Sequence, residues 1–92
     1  MKYQHIDGIT DKEGVSKDKI LKEKEQKYGL NGILQYNGIG NSFYFYYKNI
    51  INNSVIGLMI SSAVDEYEFV EKDNLHIITT QNSIYYILNV IE

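Results

Sequence analysis

Asn41-Ser42-Phe43-Tyr44-Phe45-Tyr46-Tyr47 is the stretch on which the fold turns. Asn and Ser suit a last turn position, because their side chains hydrogen-bond nearby backbone. The aromatic run behind them suits a pleated strand. The pattern recurs at Asn82-Ser83-Ile84-Tyr85, which leads into Tyr86, Ile87 and Leu88. The two copies mark two strands that should dominate one sheet. Alternate residues of a strand share a face. Phe43, Phe45 and Tyr47 therefore face one way, and Tyr44 and Tyr46 the other. Ile84, Tyr86, Leu88 and Val90 oppose Tyr85, Ile87, Asn89 and Ile91.

Outward from these strands the period stays strand-like. Ile33 to Tyr36 reads as a short strand, and Asn37-Gly38 as a turn signal. Ser54 to Ser61 is a strand with Gly57 inside it, a position for a bulge or a close approach. Glu66 to Lys72 is another, ended by an Asp73-Asn74 turn. Leu75 to Thr80 pairs with Ser83 to Val90 across Gln81-Asn82. Tyr3 to Ile6 fits a short edge strand. Between them Ser16 reads as a helix N-cap, with Asp18 in the first turn and Gly29 as the stop after Tyr28. Asp18 with Lys22 and Glu23 with Lys27 have the favourable acid-first spacing. The helix has a thin apolar stripe of Ile20, Leu21 and Tyr28, so it should be peripheral. The expected fold is α+β: a peripheral N-terminal helix and a curved five- to six-stranded antiparallel sheet or small barrel. It forms one domain over residues 1–92. The expected core is Ile33, Phe43, Phe45, Val55, Leu58, Ile60, Phe69, Ile77, Ile84, Tyr86 and Leu88.

Composition removes several chemistries. The 92 residues contain no cysteine, so neither a disulfide framework nor a thiolate metal site can form. All nine basic residues are lysines, and the net charge is −3. Nucleic acid is disfavoured, since it calls for positive surface and gains most from arginine. No N-terminal signal pattern and no membrane-length apolar run is present. A cytoplasmic protein is the default. Heavy use of Ile, Asn, Lys and Tyr, whose codons are AT-rich, points to a low-GC bacterium or its phages.

Catalytic and metal motifs are weak. His5 and Asp7 would share a strand face, and His76 lies far along the chain, without a ligand rhythm. Gly38-Ile39-Gly40 is not followed by a helix, so it is no dinucleotide loop. Glu66 and Glu68 share a face and read as the solvated side of an edge strand, with Tyr67 and Phe69 inward. An enzyme is not expected, and no cofactor is implied.

The strongest surface signal is aromatic. Tyrosine joins a large ring to a polar handle and suits interfaces. Val55 to Ile60 is apolar on both faces, whereas an ordinary antiparallel strand alternates. The thin helix cannot cover that second face, so self-association is expected. The face of Tyr44, Tyr46, Tyr85 and Ile87 is where a partner is expected. Asp65 to Asp73 adds five carboxylates, which suit a basic groove on a partner.

The last hairpin, Thr80-Gln81-Asn82-Ser83-Ile84-Tyr85, resembles the closing hairpin of small, uncharacterised phage and bacterial β-rich proteins. That resemblance implies a β-rich fold of phage or mobile-element origin and supplies no catalytic residues. The leading expectation is a non-catalytic binding protein that inhibits a host defence protein by direct docking. The alternative is a homo-oligomer that sequesters a small nucleotide signal with Thr79, Thr80, Asn82, Ser83 and Tyr85 plus one lysine. A single-strand nucleic-acid module on Tyr44 and Tyr46 ranks below both.

Overall fold

The computed structural model describes Lys2 to Ile91. Six strands and one helix follow in the order β1 (Lys2–Thr10), α1 (Asp18–Tyr28), β2 (Asn31–Gln35), β3 (Ser42–Lys48), β4 (Val55–Val70), β5 (Leu75–Thr80) and β6 (Ile84–Ile91). A single 3-10 turn, Glu71–Asp73, joins β4 to β5. All neighbours are antiparallel, and pairing of β1 with β6 closes the sheet into a barrel. Of the two expected forms, the small barrel is the one found, and most of the chain is strand. Among the described residues no helix is long and apolar enough to cross a membrane.

Closure corrects two expectations. Tyr3 to Ile6 is not a short edge strand: β1 runs nine residues and pairs with β6 from Lys2↔Ile91 to Thr10↔Ile84. The acidic stretch is not an edge either, because a closed barrel has none. β4 is the second surprise. Sixteen continuous residues replace the two expected strands, with the first half on β3 and the second on β5. The register on β3 slips between Ile60 and Ala63, and the register on β5 between Val64 and Glu66, irregularities of the kind that bend a strand. The small side chains of Ser61, Ser62 and Ala63 permit the bend, and Ser61 repairs the ladder. Its hydroxyl accepts the Phe43 N–H at 2.9 Å and donates to the Ser62 carbonyl at 2.7 Å. A bulge is the ordinary way to turn a barrel corner.

The core forms where the aromatic run predicts it. Phe43, Phe45 and Tyr47 are fully buried and join Ile6, Ile9, Leu30, Val64, Ile78 and Ile87. Most of the rest of the expected core lies on the outer side of the wall: Val55, Leu58 and Ile60 are 57, 47 and 61% exposed. Phe69 shares the inward face with Tyr67, as expected, and its ring meets His76 at 4.8 Å, yet it is 39% exposed. Gly57 pairs with inward Tyr47, so Gly57, Met59 and Ser61 point in while Leu58 and Ile60 point out. In β6 the inward set is Tyr85 and Ile87, and Ile84, Tyr86 and Leu88 lie on the other face, only half-buried. Ile33 and Ile77 are half-buried as well.

The helix is peripheral, with no buried residue. Its N-cap is Lys17 rather than Ser16. Ser16 instead bridges to Thr10, and its hydroxyl donates to the Asp18 carboxylate. Gly29 ends the helix as expected, at φ 71°, with its N–H on the Glu25 carbonyl at 2.8 Å. The expected Asp18–Lys22 and Glu23–Lys27 pairs do not form; the one ion pair among the described residues is Lys12–Asp65 at 3.0 Å. Helix and barrel meet through Tyr28, whose ring stacks on Tyr47 with centroids 4.7 Å apart. A β-carbon at Gly57 would lie 2.6 Å from that ring. The glycine therefore marks a close approach, one of the two readings its place in a strand suggested.

Candidate interaction surface

The expected partner face, Tyr44, Tyr46, Tyr85 and Ile87, does not exist as one surface. The barrel wall divides it. Tyr44 and Tyr46 are half-buried on the outside, their rings edge to face at 6.3 Å, and Tyr46 donates to Gln35 Oε1 at 3.1 Å. Tyr85 meets Phe43 edge to face at 5.0 Å, in the interior beside Ile87. Burial raises the Tyr85 hydroxyl above its ordinary value, against the opposing pull of its hydrogen bond with Ser83.

The polar groups at the β5–β6 turn serve the turn itself. Thr80 Oγ1 donates to the Ser83 carbonyl at 3.1 Å and accepts the Ser83 N–H at 3.2 Å. Lys17 Nζ donates to Ser83 Oγ at 2.8 Å and to the Asn82 carbonyl at 3.1 Å. Thr80 and Ser83 are buried, Thr79 and Tyr85 half-buried, and of the five residues expected to hold a nucleotide only Asn82 is exposed. The lysine expected beside them is there, and it ties the start of α1 to the hairpin.

A second polar constellation runs across the barrel interior. The Leu34 N–H donates to Gln4 Oε1 at 2.9 Å, which fixes the orientation of that amide. Gln4 Nε2 must then donate to Asn89 Oδ1, at 3.1 Å. Asn89 Oδ1 is thus an acceptor, so His76 Nε2 carries a proton and donates to it at 2.8 Å. With the imidazole neutral, Nδ1 accepts from the Tyr67 hydroxyl at 2.8 Å. Tyr67 in turn stacks on Tyr36 with centroids 4.1 Å apart. Burial, and secondarily the neighbouring Tyr36 hydroxyl, raises Tyr67 above its ordinary value. Residues of β1, β4, β5 and β6, with Leu34 and Tyr36 beside them, thereby form one belt. Both ring nitrogens of His76 are engaged, so the belt as it stands is a brace rather than a poised base. Sequence reading missed it because Gln4, His76 and Asn89 are polar and look solvent-facing. The one available signal was the alternation that puts Asn89 on the same face as Ile87 and Tyr85.

What remains open is the outside of β4. Along its first half Ile56, Leu58 and Ile60 point outward, beside Tyr46 and Tyr44 of β3. Along its second half the exposed side chains include Glu66 and Glu68, followed by Glu71 and Asp73 in the 3-10 turn. Among the described residues, none of these four carboxylates has a cation within ion-pair distance. Burial, with smaller contributions from Tyr85 and Tyr28, pushes Tyr47 behind this wall up to about 12. No family model matches the chain, and no curated protein or solved structure is significantly similar to it.

Proposed function

We propose that this chain is a non-catalytic binding protein that acts by docking on another protein. The class of partner is a host defence factor, and the setting is the cytoplasm of a low-GC bacterium entered by a phage or mobile element. The observation that carries the reading is the outer surface of β4, which offers an apolar half and an acidic half, neither covered by the chain itself. Four unpaired carboxylates, Glu66, Glu68, Glu71 and Asp73, form a surface that a basic groove would complement. Such complementarity raises association rates and rejects acidic competitors. An inhibitor needs no more than that, because occupying a basic groove on its target excludes the target's own ligand.

The test is affinity capture from a low-GC bacterial lysate with the wild-type chain and with Glu68→Lys/Glu71→Lys. A stoichiometric protein lost in the double variant, and whose purified activity falls when the wild type is added, supports the reading. Capture that ignores the charge reversal sinks it, as does no stoichiometric partner at all.

A further inference from the structure

The apolar half of β4 calls for a different occupant from the acidic half. Ile33, Tyr46 and Leu58 form one cross-strand row, and Tyr44 with Ile60 the next. No charged side chain interrupts these rows. At the hairpin end, the loop 49–54 continues the apolar surface with Ile51, 93% exposed. That loop is held rather than slack. Asn49 Oδ1 accepts the Ile51 N–H at 2.9 Å, and Asn52 Oδ1 the Ser54 N–H at 3.0 Å. The Asn53 N–H donates to the Asn49 carbonyl at 2.7 Å, with Asn53 in the left-handed region at φ 60°. An isoleucine fixed in water by its own loop is preorganised for a contact.

Size and charge say what the contact is. The exposed fractions of Ile51, Val55, Ile56, Leu58 and Ile60 amount to about three whole aliphatic side chains. With the outer parts of Tyr44, Tyr46 and Ile33 the surface is on the order of 700 Å², close to what one partner brings to a standard interface. Absence of charge at the centre is the mark of an interface core, and homodimer interfaces are the more apolar class. The barrel has no free edge, so a partner must pack face to face rather than add a strand. The charges at the two ends of the face are opposite. Lys48 lies at the hairpin end, on a neutral partner, Asn53 Oδ1, at 3.2 Å. Beyond Ile60, at the other end, come Asp65, which already pairs with Lys12 at 3.0 Å, and the exposed Glu66. A two-fold axis through the centre of the face lays each lysine end on the acidic end of the other molecule. A second copy of this chain supplies that reversed order by symmetry.

We infer that the outer face of β2, β3 and the first half of β4 is the interface of a two-fold symmetric homodimer. The β3–β4 hairpins cross near Leu58, and each Ile51 loop lies over the Ile60 end of the other copy. This goes beyond the docking reading: the two surfaces meet at Glu66, and Glu68, Glu71 and Asp73 lie outside the dimer interface.

The chain has no cysteine, which makes the experiment direct. Leu58→Cys places a single thiol beside the two-fold axis, and Glu68→Cys places one on the acidic half. Under mild oxidation Leu58→Cys is expected to form a covalent dimer within minutes, and Glu68→Cys only a collisional background. Sedimentation equilibrium of the wild type is expected to give twice the 10.7 kDa chain mass. Leu58→Lys is expected to weaken the dimer at least ~100-fold with an unchanged far-ultraviolet spectrum. Should Leu58→Lys fail to fold, the cysteine pair still decides. A wild type that sediments as a monomer at about 100 μM, or a Leu58→Cys chain that oxidises no faster than Glu68→Cys, overturns the inference. A monomer that still captures a partner through its acidic surface overturns the dimer and leaves the docking reading standing. A dimer that captures nothing upholds the interface and removes that reading.

Discussion

The two Asn-Ser-x-Tyr segments begin alike and end on opposite sides of the same wall. In the first, Phe43 points in and Tyr44 out; in the second, Ile84 points out and Tyr85 in. The serines differ as well: Ser42 is half-buried beside the bend of β4, whereas Ser83 is buried and bonded to Lys17. A shared local motif thus leaves the facing of a strand undecided. The partner strand decides it, because a slip of one residue moves every side chain to the other face. In β3 the decision comes from Gly57 and Ser61 across the ladder; in β6 it comes from Ile6 and Ile78.

The largest test of that contrast substitutes the residue after each serine. Phe43→Ala should cost about 3–5 kcal/mol, the usual range for emptying a packed aromatic site. Ile84→Ala should cost clearly less, and urea unfolding of the two variants measures the gap. Equal losses would mean that β6 has its other face inward. Next in size is the corner itself. Ser61→Ala strands the Phe43 N–H in the interior and should cost about 1–3 kcal/mol, read as a shift of urea midpoint at constant slope. Ser42→Ala should move the midpoint far less.

A smaller effect separates the inward tyrosines by pH. The folded value of Tyr47, about 12, lies above the ordinary phenol value of 10.0. Above pH 10 the unfolded chain loses a proton that the folded chain keeps. This contribution is therefore intact below pH 10 and is lost as pH rises towards 12. Tyr47→Phe should flatten the alkaline fall in melting temperature; an unchanged fall would place the responsible group elsewhere. The same variant should change neutral stability little, since the hydroxyl's hydrogen-bond partner is the Met59 sulfur at 3.8 Å. Smallest of all, Asn82→Ala at the exposed turn should stay within ~0.5 kcal/mol by thermal melts.

Much of the architecture was legible because it rests on local signals. The helix stop at Gly29, the close approach at Gly57, the β5–β6 hairpin and the inward face of β3 all follow from residues a few positions apart. The failures share one cause. Val55 to Ile60 is apolar on both faces, so alternation cannot choose a side, and the core expected at Leu58 and Ile60 faces outward instead. Gln4 and Asn89 meet across 85 positions, and no local pattern announces such a pair. The candidate surface was half legible: Tyr44 and Tyr46 lie outside, as an interface reading requires, but Thr80 and Ser83 are spent holding their own turn.

The pairing of β1 with β6 has a consequence for how the molecule comes into being. Eight residue pairs join the first strand to the last, whereas β1 meets β2 at only two. Until β6 has left the ribosome, β1 has almost nothing to pair with. Closure then has to bring the ends of the domain together before its longest ladder can form, which places folding in the slow, milliseconds-to-seconds class of non-local β topologies. During that interval the outward isoleucines of β4 and the unpaired edge of β1 are exposed together. The nascent chain is therefore most vulnerable to misassociation just before the eight residues of β6 arrive.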